Sequence, residues 1–472
     1  MNREKELFKN TAIIGIGKIS TQVITFFLLP VYTALLSTEE YGIVDLLNTL
    51  VMLLVPIISF QIEQAIFRYL VENRGNIQEE KKIISTAMFT VIIQVILYTI
   101  IFFAISRFIN NQYKEFLLIN VVACTFSSIM LQITRGLGSN VKYSIGNFII
   151  AISTIIFNIL FIVIFRFGAY GMLTANFLAN ILCVIYIFIA DKLFKYISFK
   201  EFKRTILKKL WKFSIPLIPN TISWWIFSAS DRIIVTWIMG SGANGILAAA
   251  QKFSNVYATI FGIVNITWTE TATLYVNDKD RDAFFSKMIN IIMRLFISLC
   301  IGIMAFMPFV FPIMVNENFA DAYYQIPILM LASCCNVMVS LLSAIYIAKK
   351  DTKAIAKSSY ISAILNIIIN ITLIKFIGLY AASISTLAAY FIIMLNRYKD
   401  IKKYVKIEMD KKMILWAMII IIIILFIYYI NNTILSAIGI IIACTYAFIS
   451  NKKYIKIIIE FFRKKIVNKT SL

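Results

Sequence analysis

The sequence predicts an all-α membrane protein with about 14 transmembrane helices, and three observations lead to this fold class. Hydrophobic residues make up 60% of the 472 residues and charged residues only 15%, against about half and about a quarter in soluble domains. Fourteen stretches are apolar over the roughly 20 residues that a helix needs to cross the hydrocarbon core. Lysine and arginine, 46 in all, alternate between rich and poor connections along these stretches.

The predicted spans follow one another from the charged N-terminus to a basic C-terminal tail. The N-terminal residues run directly into the first apolar stretch, so we expect no cleaved signal peptide. The approximate limits of the spans are 11–36, 42–62, 83–105, 116–134, 143–165, 169–190, 213–238, 244–269, 288–311, 325–347, 358–377, 379–396, 413–430 and 433–449.

The placement of the basic residues predicts the orientation. The N-terminus, the even-numbered connections and the tail carry 38 Lys and Arg, whereas the odd-numbered connections carry four. Because basic residues accumulate on the cytoplasmic side, we expect both termini to be cytoplasmic. The net charge of +22 is then explained by topology, and nucleic acid is not an expected partner.

Two segments that follow corresponding spans indicate an internal repeat. Tyr32–Ile43, after the first span, aligns with Val235–Ile246, after the seventh, at an offset of 203 residues that pairs Gly42 with Gly245. A repeat of six spans is inserted twice in the same orientation, about an axis along the membrane normal. The sequence therefore predicts two six-helix lobes, residues 1–198 and 199–404, followed at 405–472 by a further helix pair and a basic tail.

The residue types exclude several kinds of chemistry. The chain has no histidine, and its six cysteines lie in apolar segments without a CxxC pair, so structural zinc, disulfide frameworks and His-dependent catalytic triads are not expected. The loops are too short for a soluble catalytic domain. We therefore expect a non-enzyme without a cofactor, with H⁺ or Na⁺ coupling as a further hypothesis.

Ionisable residues inside predicted spans are functional candidates because an unpaired charge in hydrocarbon is costly. Basic candidates could surround a cavity as counter-charges for an anionic group such as a diphosphate. Internal pairing is the alternative, with Asp45 as a neutralising partner. The basic candidates are Lys18, Arg232, Lys252, Arg294 and, just beyond the second span, Arg68; the acidic candidates for ion coupling are Asp45, Asp231 and Glu270.

Two motifs resemble one known family. Thr33–Ile43, with the sequence TALLSTEEYGI, and the pair Asp231-Arg232 followed by Gly245–Lys252, with the sequence GILAAAQK, are similar to segments of bacterial polysaccharide flippases. These flippases belong to the multidrug/oligosaccharidyl-lipid/polysaccharide (MOP) exporter superfamily. The chain departs from the family pattern at Ala34, where a basic residue is frequent, and at Leu247, where tyrosine is frequent.

The resemblance implies a function. Such a protein would move undecaprenyl-diphosphate-linked oligosaccharide from the inner to the outer leaflet of the bacterial cytoplasmic membrane by alternating access, for O-antigen or capsule synthesis. Its partners would be the lipid-linked substrate, the bilayer and polysaccharide polymerase machinery, and it would act as a monomer. A multidrug cation exporter of the same superfamily, a membrane-bound polymerase or glycosyltransferase, and a channel are the alternatives.

Overall fold

The computed structural model describes residues 26–108 and 111–470, except for the side chains at 220, 223, 224, 227, 228 and 453–470. Regular structure in these residues is entirely helical. The α-helices are α1 Leu29–Leu35, α2 Thr38–Ile58, α3 Ile62–Glu72, α4 Ile77–Ser106, α5 Lys114–Gly136, α6 Asn140–Asn158, α7 Gly168–Ala190, α8 Arg204–Ser214, α9 Ile218–Met239, α10 Ser241–Tyr275, α11 Arg281–Met314, α12 Asp321–Ala348, α13 Thr352–Ile377, α14 Tyr380–Asp400, α15 Lys411–Ile430 and α16 Thr433–Thr470.

Ten helices of the described residues are long and apolar enough to cross a membrane, which confirms the predicted fold class. Helix α6 continues through a wider turn to Ile164, and the first 20 residues of α16 form the last of the ten. The first predicted span, 11–36, lies mostly outside the described residues. The ten are α2, α4, α5, α6, α7, α11, α12, α13, α15 and the start of α16.

Three further helices, α9, α10 and α14, coincide with the predicted spans 213–238, 244–269 and 379–396. They are 22, 35 and 21 residues long, which is enough to cross the bilayer at about 1.5 Å per residue. Their polar residues lower the mean hydropathy: α9 contains Asp231 and Arg232, and α10 contains Asn244 and Lys252. A helix can carry such groups through a membrane when other groups of the protein satisfy them.

Local sequence signals define both ends of α2. Ser37 and Glu40 form a capping box at its start, in which each side chain accepts a hydrogen bond from the backbone N–H of the other residue. The helix contains Pro56 and ends at Ile58. Phe60 and Gln61, which follow, adopt positive φ angles of 50° and 53°. The chain turns there and continues as α3.

The described helices form two compact units that divide between Ala249 and Ala250. The first unit has a core in which α3, α4, α5 and α7 pack together with the basic helix α8 through residues such as Ile66, Ile84, Ile129 and Leu210. This unit also contains α9 and the first residues of α10. The lobe boundary predicted after residue 198 remains a prediction.

In the second unit, α12 packs against α14, and α11 packs against α12, α15 and α16. The rings of Tyr323 and Tyr428 stack with centroids 4.2 Å apart, and the Tyr428 hydroxyl donates to the Tyr323 carbonyl over 2.7 Å. Arg397 on α14 is only 4% exposed and donates to the hydroxyls of Ser358 and Ser359, both at 2.9 Å. Arg397 therefore fastens α14 to α13.

Candidate functional site

The start of α2 crosses the start of α10 at a contact made by two glycines. A Cβ atom built on Gly42 would lie 1.8 Å from the Ser241 carbonyl oxygen, and one built on Gly245 would lie 2.0 Å from the Thr38 carbonyl oxygen. Any side chain at either position would overlap backbone, so glycine is required for this approach. The two glycines are the pair that the repeat alignment matches, and they lie at the predicted outer ends of their helices.

One turn further along α2, Asp45 forms an ion pair with Arg232 of α9. Asp45 Oδ2 lies 2.9 Å from Arg232 Nε, and the two side chains are 17% and 19% exposed. The same guanidinium donates through Nη1 to the Thr49 hydroxyl over 3.1 Å. The structure therefore brings together two of the predicted site residues, in the arrangement that the internal-pairing alternative describes.

Polar side chains next to this pair join the same three helices. Asn244, which is fully buried, donates to the Gly42 carbonyl over 2.8 Å and approaches Asp45 Oδ2 at 3.5 Å. Trp225 Nε1 donates to the Thr49 carbonyl over 2.9 Å. We call Asp45, Thr49, Trp225, Arg232 and Asn244 the polar clasp.

A further contact between α9 and the α2–α3 region lies at the other end of α2. The Gln61 amide donates to the Thr221 hydroxyl. The 21 residues of α2 extend over about 30 Å, and polar contacts with α9 occur in its outer half and again just beyond its inner end. The contacts with the start of α10 are at the outer end.

Glu63, at the start of α3 and beyond the apolar span of α2, is a buried carboxyl beside the Gln61 contact. It is 8% exposed, and the Ser59 hydroxyl donates to its Oε2 over 2.8 Å. Burial raises the pKa of Glu63 above its ordinary value, while hydrogen bonds from its own backbone N–H and from Ser59 act in the opposite direction.

Two basic candidates, Arg68 and Arg294, form ion pairs away from the polar clasp. Arg68 forms an ion pair with Glu72 at 3.1 Å on the surface of α3, where the side chains are 55% and 49% exposed. Arg294 forms an ion pair with Asp410 at 2.8 Å and donates to the Ser450 carbonyl over 3.2 Å, which ties α11 to the two C-terminal helices. The local partners of Arg294 favour a structural role.

The remaining candidates are in different surroundings. Lys18 lies outside the described residues. Lys252 is half-buried on α10, and Glu270 is exposed further along the same helix. Asp231 is only 5% exposed on α9. Lys252 and Glu270 belong to the second unit, whereas Asp231 belongs to the first, as the clasp does.

Sequence reasoning did not single out Thr49, Trp225 or Asn244 as clasp residues. One signal was present for Asn244, because the repeat alignment places it opposite Tyr41, immediately before the matched glycines. A polar residue beside a close glycine contact has no water to bond and must find a protein partner. Thr49 and Trp225 gave no signal, since threonine and tryptophan are ordinary residues in an apolar helix.

The part of the chain that contains the clasp matches a known protein family. A family model described as polysaccharide biosynthesis protein matches residues 7–272, which is more than half of the chain and includes every residue of the clasp. The chain belongs to this family. The match confirms the resemblance found in the motifs, and family members include the polysaccharide flippases of the MOP superfamily. No curated protein sequence matches the chain.

Solved structures show that this member of the polysaccharide biosynthesis family has the fold of MOP transporters. A lipid II flippase MurJ in an inward closed conformation matches with a TM-score of 0.70 and 16% identity, over 93% of this chain and 99% of that one. An inward-facing multidrug resistance MATE family transporter of the MOP superfamily matches with a TM-score of 0.68 and 14% identity, over 81% and 95%. The family and the fold support a multi-pass membrane transporter.

Proposed function

We propose that this chain is a flippase that moves undecaprenyl-diphosphate-linked oligosaccharide from the inner to the outer leaflet of the bacterial cytoplasmic membrane by alternating access. The product would serve surface polysaccharide synthesis, such as O-antigen or capsule, with polymerase machinery as the next user. The proposal includes cytoplasmic termini, as the distribution of basic residues predicts, and transport without covalent chemistry on the substrate.

The observation that carries the proposal is Arg232. This guanidinium lies within a predicted span, inside the region that the family model matches, and it already forms an ion pair with an anionic group. A guanidinium can bind two oxygens of one phosphate at once, and it stays charged inside a protein. It is therefore suited to hold a diphosphate while the sugar and the lipid tail move.

We infer that the diphosphate competes with Asp45 for Arg232. When the phosphate oxygens replace the Asp45 carboxylate, α2 loses its ion pair with α9, and the polar clasp weakens. A substrate can shift a conformational equilibrium only if it binds one state better than the other, and this exchange would supply such a difference. Ion coupling would act at the same place if H⁺ or Na⁺ neutralised Asp45 after the exchange; Asp231 and Glu270 are the other candidates for coupling.

Vesicles containing the purified protein test this function. A fluorescent diphosphate-linked oligosaccharide lipid is placed in one leaflet, and its appearance in the other leaflet is measured. Transfer by the wild-type protein that is lost in Arg232→Ala/Lys252→Ala, at an equal amount of inserted, folded protein, supports the proposal. Absence of transfer, combined with extrusion of a cationic dye by the same vesicles, would contradict it and favour a multidrug exporter.

A further inference from the structure

The second unit contains a large cavity beside α15. Its volume is about 1240 Å³, and it lies between α15 and the helices α12 and α14, with α11 at its back. Pockets for drug-sized ligands have volumes of roughly 300–1,000 Å³, so this cavity is large enough for a lipid. Helix α15 packs directly against α11 and α16, and the cavity occupies the space on its side toward α12 and α14.

The walls of the cavity are apolar and adaptable. Six methionines line it, and the other wall residues are mainly Ile, Leu, Phe, Ala and Cys. Methionine side chains are flexible and fit ligands of variable shape, as acyl chains of different length and unsaturation require. The methionines are Met293, Met338, Met394, Met409, Met413 and Met418.

The cavity opens between lysines. Lys402, Lys406 and Lys411 line the end nearest the connection between α14 and α15, together with one acid, Glu408. The three lysines are exposed, and in the part of the chain that the structure describes none of them forms an ion pair. This end lies on the side predicted to be cytoplasmic, so the mouth offers positive charge at the level of lipid headgroups.

The depth of the cavity matches one leaflet. Along α15 its lining extends from Lys411 to Ile422, a distance of about 17 Å at 1.5 Å per residue, which is about half of the 30 Å hydrocarbon core. An acyl chain of a membrane phospholipid fits this depth. The much longer undecaprenyl chain would not be contained in it.

We propose that this cavity binds an anionic phospholipid of the lysine-side leaflet. The phosphate lies among Lys402, Lys406 and Lys411, and the acyl chains lie against the methionines. The lipid fills the space between α15 and the pair α12 and α14, and so fixes the position of α15. The same leaflet carries anionic lipids, which attract basic residues near its surface.

Native mass spectrometry of the purified protein, titrated with phosphatidylglycerol, tests the site. The variant Lys402→Glu/Lys411→Glu changes two lysines at the mouth. The variant Lys399→Glu/Lys412→Glu makes the same charge change at neighbouring positions outside this cavity; Lys412 lines a separate cavity of about 570 Å³. We expect affinity to fall at least about 25-fold in the first variant, because losing each lysine costs about five-fold and each glutamate adds repulsion, and to fall much less in the second.

A second variant tests the apolar part. Cys335 lines the cavity and is partly exposed, so Cys335→Phe adds volume inside the cavity while every lysine remains. We expect it to weaken phosphatidylglycerol binding and to reduce the rise in thermal midpoint that we expect this lipid to give the wild-type protein. If Cys335→Phe does not fold, the lysine variants still decide.

Three results would overturn the proposal. Equal weakening in the two lysine variants would indicate diffuse surface charge. Displacement of phosphatidylglycerol by inorganic phosphate alone would indicate an anion site without acyl-chain recognition. Tighter binding of undecaprenyl phosphate than of phosphatidylglycerol would assign the cavity to the tail of a transported lipid.

Discussion

The polar clasp of the first unit and the lysine-lined cavity of the second unit differ in whether their basic side chains are buried in an ion pair or exposed without one among the described residues. Arg232 lies within a predicted span, is mostly buried, and is paired with Asp45 from another helix. Lys402, Lys406 and Lys411 lie at the edge of an apolar space and are exposed. Charge inside the membrane is thus neutralised by the protein, whereas charge at its surface remains available to lipid headgroups.

The two regions also differ in how their helices are joined. In the clasp, helix α2 contacts α9 and α10 through a close glycine contact, an ion pair and hydrogen bonds. Around the cavity, α15 stands apart from α12 and α14, and the walls are apolar. A contact made of directional bonds can open and close as a unit, while an apolar space can be filled by a flexible ligand.

The largest effect is expected where backbone meets backbone. Gly245→Ala adds a Cβ atom 2.0 Å from the Thr38 carbonyl oxygen, and the crossing of α2 and α10 cannot relax without moving both helices. We expect a loss of about 3 kcal/mol or more, seen as a lower thermal midpoint in detergent. The control is Gly262→Ala on the same helix, where nothing lies within 4 Å; an equal loss there would contradict the contact.

The next effect concerns the ion pair of the clasp. Arg232→Ala leaves the Asp45 carboxylate largely buried without its partner, and we expect a loss of about 2 kcal/mol. Asp45→Asn/Arg232→Ala removes the unpaired charge as well and should recover most of that stability. Thermal unfolding of the two variants measures the difference. If the double variant is no more stable than the single one, the ion pair does not join these helices.

A smaller effect with a pH signature is expected at Glu63. Because burial raises the pKa of Glu63 in the folded protein, ionisation of this carboxyl disfavours folding at pH values above its folded-state pKa. The penalty disappears as the pH falls below about 4, the range in which an unfolded glutamate also binds its proton. Glu63→Gln should therefore raise the thermal midpoint at pH 8 but not at pH 4. A gain that is the same at both pH values would exclude this explanation.

The smallest effect is expected at Arg68, whose partner Glu72 is a half-exposed residue of the same helix. Exposed pairs of this kind contribute about 0.5 kcal/mol or less. Arg68→Ala should leave the thermal midpoint and the transport rate close to wild type in the vesicle assay. A large loss of transport with unchanged stability would restore Arg68 as a candidate for binding the anionic group of the substrate.

Hydropathy and the alternation of basic residues were sufficient to predict the all-α membrane fold, because both depend on short stretches of sequence. The repeat alignment matches Gly42 with Gly245 as equivalent positions, but it does not predict that the two glycines are in contact, which only the structure shows. Three predicted spans proved more polar than the rest. The polar residues responsible include Arg232 of α9, which pairs with Asp45, and Asn244 of α10, which belongs to the clasp.

The sequence indicates Asp45 as a neutralising partner, but it leaves open whether the basic residues pair internally or face a cavity. Asp45 and Arg232 are far apart in the sequence, and their contact depends on how α2 and α9 are rotated about their axes. Arg397 counts as a cytoplasmic basic residue by position, yet it is buried among serines of α12 and α13. A one-dimensional pattern assigns the side of the membrane but not the rotation of each helix, on which pairing and burial depend.

The central claim is that Arg232 holds the diphosphate of a transported lipid, and it is tested most directly by leaflet transfer in vesicles with Asp45→Asn/Arg232→Ala. This variant lacks the cation without leaving an unpaired acid, and Asp45→Asn alone, which keeps Arg232, is the control for the coupling role of Asp45. We predict a wild-type-like thermal profile together with loss of transfer of the labelled diphosphate-linked oligosaccharide lipid. Transfer at the wild-type rate would contradict the claim and leave the clasp as a purely structural contact.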